Sequence, residues 1–239
     1  MRNDAARRGT LVRAFVLGLP AVIAAIAADP ATAAPSPILV SYGFDDGAID
    51  TGPDTFAVFQ HARGSVRLAR EFRFSGYRSV EIRDVPGDGD FPELQGFFPE
   101  RRTGWLIGHF VFMTTDPSEE LNVALAGPAG FRLVKDGIAL WLTLGDGHLV
   151  HISDGIPKRL LRLRAFSWYG VDVDYDIERG HYWLRIFEEG NTQPTVAVVD
   201  QPNAAAAPGS AVSLFSFIGD KGEDTSSATY YVDDILLGV

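Results

Sequence analysis

The sequence predicts a nearly all-β protein built as a two-sheet antiparallel β-sandwich. About a dozen short runs of aromatic and β-branched residues follow residue 38, many alternate with period two, and hardly any 3.6-residue helical pattern accompanies them. Gly, Pro, Asp and Asn bound these runs at short intervals. Neither an internal repeat nor an interior linker is visible, so residues 34–239 are predicted to form one sandwich domain.

The first 33 residues predict a signal peptide. Four arginines precede an apolar stretch at residues 15–28, and the small residues Ala31 and Ala33 suit cleavage after Ala33. A retained membrane anchor is the alternative, but the uncharged stretch is shorter than the roughly 20 residues that a bilayer-spanning helix needs. We therefore expect a secreted or periplasmic protein with no membrane insertion after cleavage, and the Arg7-Arg8 pair leaves twin-arginine export open.

The predicted strands follow one another along the whole domain. They are residues 39–44, 56–60, 65–72, 79–85, 104–114, 122–126, 139–144, 148–152, 166–176, 181–188, 195–199, 211–218 and 229–236. Gly145-Asp146-Gly147 and Glu178-Arg179-Gly180 each predict a tight turn, because glycine tolerates the positive φ of hairpins. The second turn joins residues 171–176 to 182–186, the best-patterned hairpin in the chain.

The charge balance excludes one class of partner. The chain carries 21 Lys and Arg against 31 Asp and Glu, a net charge of −10. Non-specific affinity for nucleic acid depends on Lys and Arg that displace counterions from phosphates, so nucleic acid is not an expected partner. The chain has no cysteine, which excludes disulfides and thiol catalysis.

Four short motifs, in their order along the chain, resemble the concanavalin A-like lectin and glucanase superfamily, whose sandwich is the laminin-G-like jelly roll. They are YGFDDG at residues 42–47, SGYRSVEI at 75–82, FSWYGV at 166–171 and ATYYVDDILL at 228–237. The resemblance implies a jelly-roll sandwich of the kind found in secreted sugar-binding modules and glycan-cleaving enzymes. Function cannot be inferred from such a fold alone.

Four aspartates near the two ends of the domain predict a metal site. In sandwiches of this superfamily the terminal strands lie side by side, which would bring Asp45 and Asp46 close to Asp233 and Asp234. Four carboxylates repel one another unless a cation neutralises them, and calcium accepts six to eight oxygen ligands. The resemblance implies a structural calcium held by one aspartate from each pair. The alternative is that Asp46-Gly47 is a turn, Asp234 faces solvent and no metal binds.

Asp172, Asp174 and Asp176 are weak candidates for catalytic residues. They alternate along one predicted strand and so share a face. Retaining glycoside hydrolysis needs two carboxyl groups about 5 to 5.5 Å apart, which alternate strand positions could provide. Laminarinase-type hydrolases, which this chain resembles, place glutamates at the two catalytic positions, whereas this chain has aspartates. The alternative is a solvated outer face of the strand.

Aromatic residues are the candidates for ligand contact, because sugar sites use aromatic faces against the C–H side of pyranose rings. The candidates are Trp105, Trp168, Trp183 and Phe97. Tryptophans in a sandwich are often core residues, so residues 91–102, predicted to be an aromatic loop with Phe91, Phe97 and Phe98, are also of interest. The histidines are not expected to form a metal or catalytic site. They are His61, His109, His148, His151 and His181.

Together these observations predict a secreted carbohydrate-binding or cell-surface recognition module with a structural calcium. Its expected partner is a polysaccharide or glycoconjugate, and an Asp-rich face would favour a neutral glycan. One alternative is a glycoside hydrolase or polysaccharide lyase of the same superfamily. The other is a structural or interaction protein that binds no sugar.

Overall fold

Fifteen β-strands, all paired antiparallel, make up the regular structure of the described residues. The structure, a computed structural model, describes residues 38–47, 57–59, 63–87, 92–127, 137–219 and 229–239. The predicted signal peptide, His61 and Phe91 lie outside the described residues. Within them, no helix is long and apolar enough to cross a membrane.

The strands form two sheets, which confirms the predicted antiparallel sandwich. The larger sheet has the order β13-β12-β11-β6-β15-β4-β3, with β1 also paired to β15. Its strands are β1 (Ile38–Tyr42), β3 (Ser65–Ala69), β4 (Ser79–Arg83), β6 (Trp105–Thr114), β11 (Trp168–Asp176), β12 (His181–Glu188), β13 (Val196–Pro202) and β15 (Thr229–Gly238). The smaller sheet has the order β10-β9-β8-β7-β14-β5-β2. Its strands are β2 (Ala57–Phe59), β5 (Glu93–Arg101), β7 (Leu121–Ala126), β8 (Ile138–Gly145), β9 (His148–Ser153), β10 (Ile156–Arg162) and β14 (Val212–Gly219).

The main hydrophobic core contains alternate side chains from both sheets. On β11, Val171, Val173 and Tyr175 are buried in this core, and Leu142 and Leu149 reach it from the smaller sheet. Burying one large aliphatic or aromatic side chain stabilises a fold by roughly 1.5–3 kcal/mol. The period-two pattern therefore assigns each strand an inner face and an outer face, and the outer face is free to carry polar groups.

Both predicted hairpins are present. β8 pairs with β9 across the turn that contains Asp146 at φ 51° and Gly147 at φ 76°. β11 pairs with β12 in full register from Tyr169 opposite Glu188 to Asp176 opposite His181. The second hairpin matters for function because it places the alternate aspartates of β11 beside the alternate side chains of β12.

Two segments depart from the sequence prediction. Residues 91–102 were expected to form a loop, but β5 occupies most of this segment and pairs with both β14 and β2. The sequence pattern also did not predict β10, which pairs with β9 at the edge of the smaller sheet. Pro157 and the charged side chains of β10 are typical of an edge strand, and because most of its side chains are exposed no alternation identifies it.

Candidate functional site

The outer face of the larger sheet, on the neighbouring strands β12, β11 and β6, brings two predicted tryptophans together. Trp183 on β12 lies opposite Asp174, and Trp105 on β6 lies opposite Asp176, so the two rings meet across β11. Their centroids are 5.0 Å apart, and Trp105 is 46% exposed. The Arg179 guanidinium lies 5.8 Å from the Trp183 ring centroid, within range of a cation–π contact. We call Trp105 and Trp183 the tryptophan pair.

A charged network lies beside the tryptophan pair on the same face. His109 Nδ1 and Asp172 Oδ1 are 2.7 Å apart, because the two residues are direct neighbours in the β6–β11 register. Arg185 bridges two aspartates, with Nε 3.4 Å from Asp172 Oδ2 and Nη1 3.1 Å from Asp174 Oδ2. The hydrogen bond from His109 lowers the pKa of Asp172, and the charges of His109 and Arg185 add to this against a partial desolvation. Asp172 is therefore an ionised acceptor at neutral pH.

The third aspartate of the row has a different role. Asp176 is buried, and its Oδ1 accepts the Arg179 backbone N–H at 3.1 Å. That bond stabilises the turn between β11 and β12, so Asp176 helps to shape the hairpin. The three candidate residues share a face, as the alternation requires, but only Asp172 and Asp174 are open to solvent on it.

A depression of about 280 Å³ opens next to the charged network. Its lining includes Phe74, His109, Asp172 and Phe187, and Gly170 lies among them on β11. A Cβ added to Gly170 would meet no atom closer than 3.7 Å, so packing alone does not require glycine here. A glycine inside a strand often marks a place where a ligand approaches the backbone closely. We call this depression the Gly170 groove.

The other two ligand-contact candidates are separate from the tryptophan pair, with Trp168 at the opposite end of the same face of β11 and Phe97 on the other sheet. Trp168 is only 5% exposed and packs in a small cluster with Val111 and Tyr231, with the Phe74 ring at 5.8 Å. Phe97 is 60% exposed, but it lies on β5 of the smaller sheet. Trp168 is therefore mostly enclosed by its neighbours, and Phe97 is separated from the tryptophan pair.

His148 and His151 of β9 point to opposite faces of the smaller sheet, as their spacing predicts. His151 is buried in the interior, where its Nδ1 lies 2.6 Å from the Tyr182 hydroxyl. Burial lowers the pKa of His151 to about 4, and the positive charge of Lys158 acts in the same direction. His151 is thus a neutral bridge between the sheets. His181, the first residue of β12, lies with its Nδ1 2.9 Å from Asp200 Oδ1.

The predicted terminal aspartates do come together around one loop. β1 pairs with β15, as expected, and the loop at residues 70–78 between β3 and β4 lies against them. Asp233 Oδ2 accepts the backbone N–H groups of Phe74 at 3.1 Å and Ser75 at 3.2 Å. The Ser75 hydroxyl donates to Asp234 Oδ1 at 2.7 Å. We call this arrangement the carboxylate clamp.

Asp45 completes the carboxylate clamp from the other end of the chain. Its Oδ1 accepts the N–H groups of Tyr77 at 2.5 Å and Arg78 at 3.2 Å. A Cβ on Gly76, which has φ 56°, would come 2.0 Å from Asp45 Oδ2, so only glycine fits there. Asp46 is exposed beside the clamp.

The carboxylates of the clamp are held by hydrogen bonds from the protein itself. Backbone N–H groups face the oxygens of Asp45 and Asp233, where calcium would need further oxygen ligands. Among the described residues, no three Asp, Glu, His or Cys side chains converge as a metal site would require. Burial raises the pKa of Asp233 to about 6, against its three hydrogen bonds from backbone N–H groups. The structural calcium expected from the sequence stays a prediction.

Three residues on the same face as Asp172 were not among the candidates predicted from the sequence. Arg185, Phe187 and Gly170 were not singled out, although the alternation of the β11–β12 hairpin places them on the same face as Asp172. On the opposite sheet, Glu93 and Ser216 are fully buried, and the Ser216 hydroxyl donates to Glu93 Oε1 at 2.7 Å. That contact joins residues 123 positions apart, which no local pattern could reveal.

The chain is similar to known proteins in its three-dimensional structure but not detectably in its sequence. No family model matches the chain, and no curated protein sequence matches it. Among solved structures, the chain resembles a sialidase at 10% identity and TM-score 0.58, over 77% of this chain and 17% of that one. It also resembles an endo-β-1,4-glucuronan lyase from the fungus Trichoderma reesei at 13% identity and TM-score 0.53, over 80% and 94% of the two chains.

A third similar structure is the lectin UEA-II complexed with galactose, at 10% identity and TM-score 0.53, over 83% of this chain and 98% of that one. The chain thus has the concanavalin A-like jelly-roll fold that the four sequence motifs predicted. At these identities the likeness shows the fold alone. The similar structures include a lectin and enzymes, so the fold does not choose between binding and cleavage.

Proposed function

We propose that this protein is an exported carbohydrate-binding module that holds a glycan against the outer face of its larger sheet. The observation that carries the proposal is the partly exposed tryptophan pair, 5.0 Å between centroids, beside solvent-facing carboxylates and Arg185. Large aromatic faces with a few convergent polar groups are the composition of a small-molecule site. The Gly170 groove would extend the same surface along β11.

Each part of the face suits one property of a sugar. Tryptophan rings pack against the apolar C–H side of a pyranose, which contributes buried area. Asp172 and Asp174 accept hydrogen bonds from hydroxyl groups, and Arg185 donates them, and bonds to ionised groups are stronger than neutral ones. Because Arg185 also ties the two aspartates together, the polar groups are held in place before a ligand arrives.

Binding is favoured over hydrolysis by the state of the aspartates. A retaining or inverting hydrolase needs one carboxyl group that stays protonated as a general acid. The hydrogen bond from His109 lowers the pKa of Asp172, and Arg185 forms ion pairs with both Asp172 and Asp174. Cleavage remains the second candidate function, because the His109–Asp172 contact borders the Gly170 groove and a histidine can transfer protons.

The test compares one tryptophan with an aromatic residue on the other sheet. Purified protein is incubated with a polysaccharide panel, and protein depletion and released sugar are measured in each supernatant. We expect Trp183→Ala to weaken binding about tenfold or more, equivalent to about 1.4 kcal/mol. Phe97→Ala, which removes an exposed ring from the smaller sheet, should leave binding unchanged. The reverse result would move the site to the smaller sheet.

A second variant separates binding from folding. Gly170→Val would fill the Gly170 groove, while valine suits a strand and its Cβ has room. We expect weaker glycan binding with no loss of thermal stability. Unchanged binding would restrict the site to the tryptophan pair. If oligosaccharides are released, Asp174→Asn shows whether the aspartate row is responsible, since activity that survives this change would exclude it.

A further inference from the structure

Three arginines surround a depression at the end of the same face. Arg70, Arg73 and Arg78 of the loop at residues 70–78 line a space of about 420 Å³ together with Asp45 and Tyr77. Three arginines and one aspartate line this depression, although the chain as a whole has a net charge of −10. Such a local field attracts anions even on an acidic protein.

The guanidinium groups of this depression differ from other arginines in the described part of the chain. None of the three guanidinium groups forms an ion pair there, whereas arginines elsewhere do. Those pairs include Arg67 with Glu81, Arg164 with Glu188, Arg179 with Asp200 and Arg185 with Asp174.

The contacts that the three arginines do make leave donors available. Arg73 donates to the Arg70 carbonyl at 3.5 Å, and Arg78 donates to the Asp45 carbonyl. Arg78 Nε is buried and has no partner among the described residues. The one carboxylate of the depression, Asp45, is already occupied by two backbone N–H groups, and Glu71 beside it accepts the Arg70 N–H.

The loop that carries these arginines is held firmly. The carboxylate clamp binds the backbone at Phe74, Ser75, Tyr77 and Arg78. The Phe72 ring packs edge-on against Tyr231 at 5.0 Å. Because the backbone is already fixed, less conformational entropy is lost when a ligand binds at this loop.

The arginine depression joins the proposed glycan face. Arg73 also lines a neighbouring depression of about 380 Å³ together with Phe74 and Trp168. Phe74 in turn lines the Gly170 groove. Consecutive depressions therefore share walls from Asp172 to Arg78, and a chain-like ligand could follow them.

We propose that Arg70, Arg73 and Arg78 form an anion subsite for the carboxylate or sulfate groups of an acidic glycan bound along this face. The inference rests on the proposed function and assigns it a ligand class. Guanidinium groups bind carboxylates and sulfates through paired hydrogen bonds, and Tyr77, 75% exposed, offers a ring for a sugar to pack against. The sequence predicted a neutral glycan because of the aspartates of β11. Those aspartates lie at the opposite end of the face from the three arginines.

The experiment measures binding of the protein to three glycans over a range of salt concentrations. Polygalacturonate supplies carboxylates, its fully methyl-esterified form removes their charge, and dextran sulfate supplies sulfate. We expect the Arg70→Gln/Arg73→Gln variant to lose at least tenfold in affinity for one or both charged polymers, with a smaller salt dependence. Whichever charged polymer binds more weakly to the variant shows whether the arginines recognise carboxylate or sulfate. The affinity for the esterified polymer should not change.

A matched control carries the same loss of charge at another place. Arg102→Gln/Arg159→Gln removes two exposed arginines of the smaller-sheet region and should leave all three affinities unchanged. Equal weakening by both double variants, no binding of either charged polymer, or binding only to anionic phospholipid vesicles would overturn the inference. The Trp183→Ala variant separates the two proposals: if it binds every glycan normally while the arginine variant does not, the tryptophan site fails and the anion subsite stands.

Discussion

The aspartates of β11 and the aspartates of the carboxylate clamp have the same side chain in contrasting surroundings. Asp172 lies on the outer face of a strand, in contact with His109 and Arg185, and its pKa is lowered. Asp233 is fully buried, accepts backbone N–H groups from a loop and its own neighbour, and its pKa is raised to about 6. The comparison shows that the surroundings of each aspartate in the fold, and not the residue type, set the direction of its pKa shift.

The difference in surroundings predicts a difference in stability, which is the largest effect we expect. Asp233→Ala would leave the N–H groups of Phe74, Ser75 and Asp234 without their acceptor and should cost about 2–3 kcal/mol. Asp174→Ala removes only a surface ion pair with Arg185 and should cost less than about 1 kcal/mol. Urea unfolding of both variants measures this. Equal losses would mean that the two aspartate groups are not distinct.

The pH dependence of stability sharpens the comparison further. A carboxyl whose pKa is raised by folding is protonated more readily in the folded state, so Asp233 makes stability fall as pH rises from 3.8 to about 6. One such group contributes at most about 1.4 kcal/mol per pH unit. Asp172 acts in the opposite direction: it adds stability above its unfolded pKa, and that stability is lost as the pH falls through its lowered folded value.

Unfolding curves of the wild type and Asp233→Asn between pH 4 and 7 isolate the buried group. We expect the variant to lose the decrease in stability over the interval from about 4 to 6. A variant that follows the wild-type curve across this interval would show that Asp233 does not titrate there.

A smaller effect is expected from a single hydroxyl of the carboxylate clamp. Ser75→Ala removes the hydrogen bond to Asp234 and should cost about 1 kcal/mol. Ser118→Ala removes a hydroxyl–carboxylate bond of the same length in an exposed turn, to Asp116, and should cost less. Thermal unfolding of the two variants provides the comparison, and a greater loss for Ser118→Ala would contradict it.

The smallest expected effect concerns calcium. Because N–H groups already occupy the clamp carboxylates, we expect a chelator to change the melting temperature very little. A clear decrease with the chelator that disappears in Asp234→Ala would instead establish the calcium site predicted from the sequence. Scanning calorimetry with and without the chelator distinguishes these outcomes.

The strand pattern and the turns were largely predictable from the sequence. Alternation of apolar residues and the turn residues of both hairpins are local properties, and antiparallel neighbours then follow from short connections. β5 and β10 were missed because β5 contains Gly and Pro and polar residues that resemble a loop, and because β10 is an exposed edge. The aspartate row of β11 was assigned to one face for the same local reason.

The sequence by itself determined the two-sheet architecture and the residues that share each strand face. Only the tertiary structure decided which of those residues meet. Trp105 and Trp183 are 78 positions apart and become neighbours only because β6 and β12 flank β11. Asp233 and Phe74 meet across 159 positions. Side-chain periodicity is set by the local backbone, whereas sheet order depends on burying one core between distant strands, and no short pattern records that order.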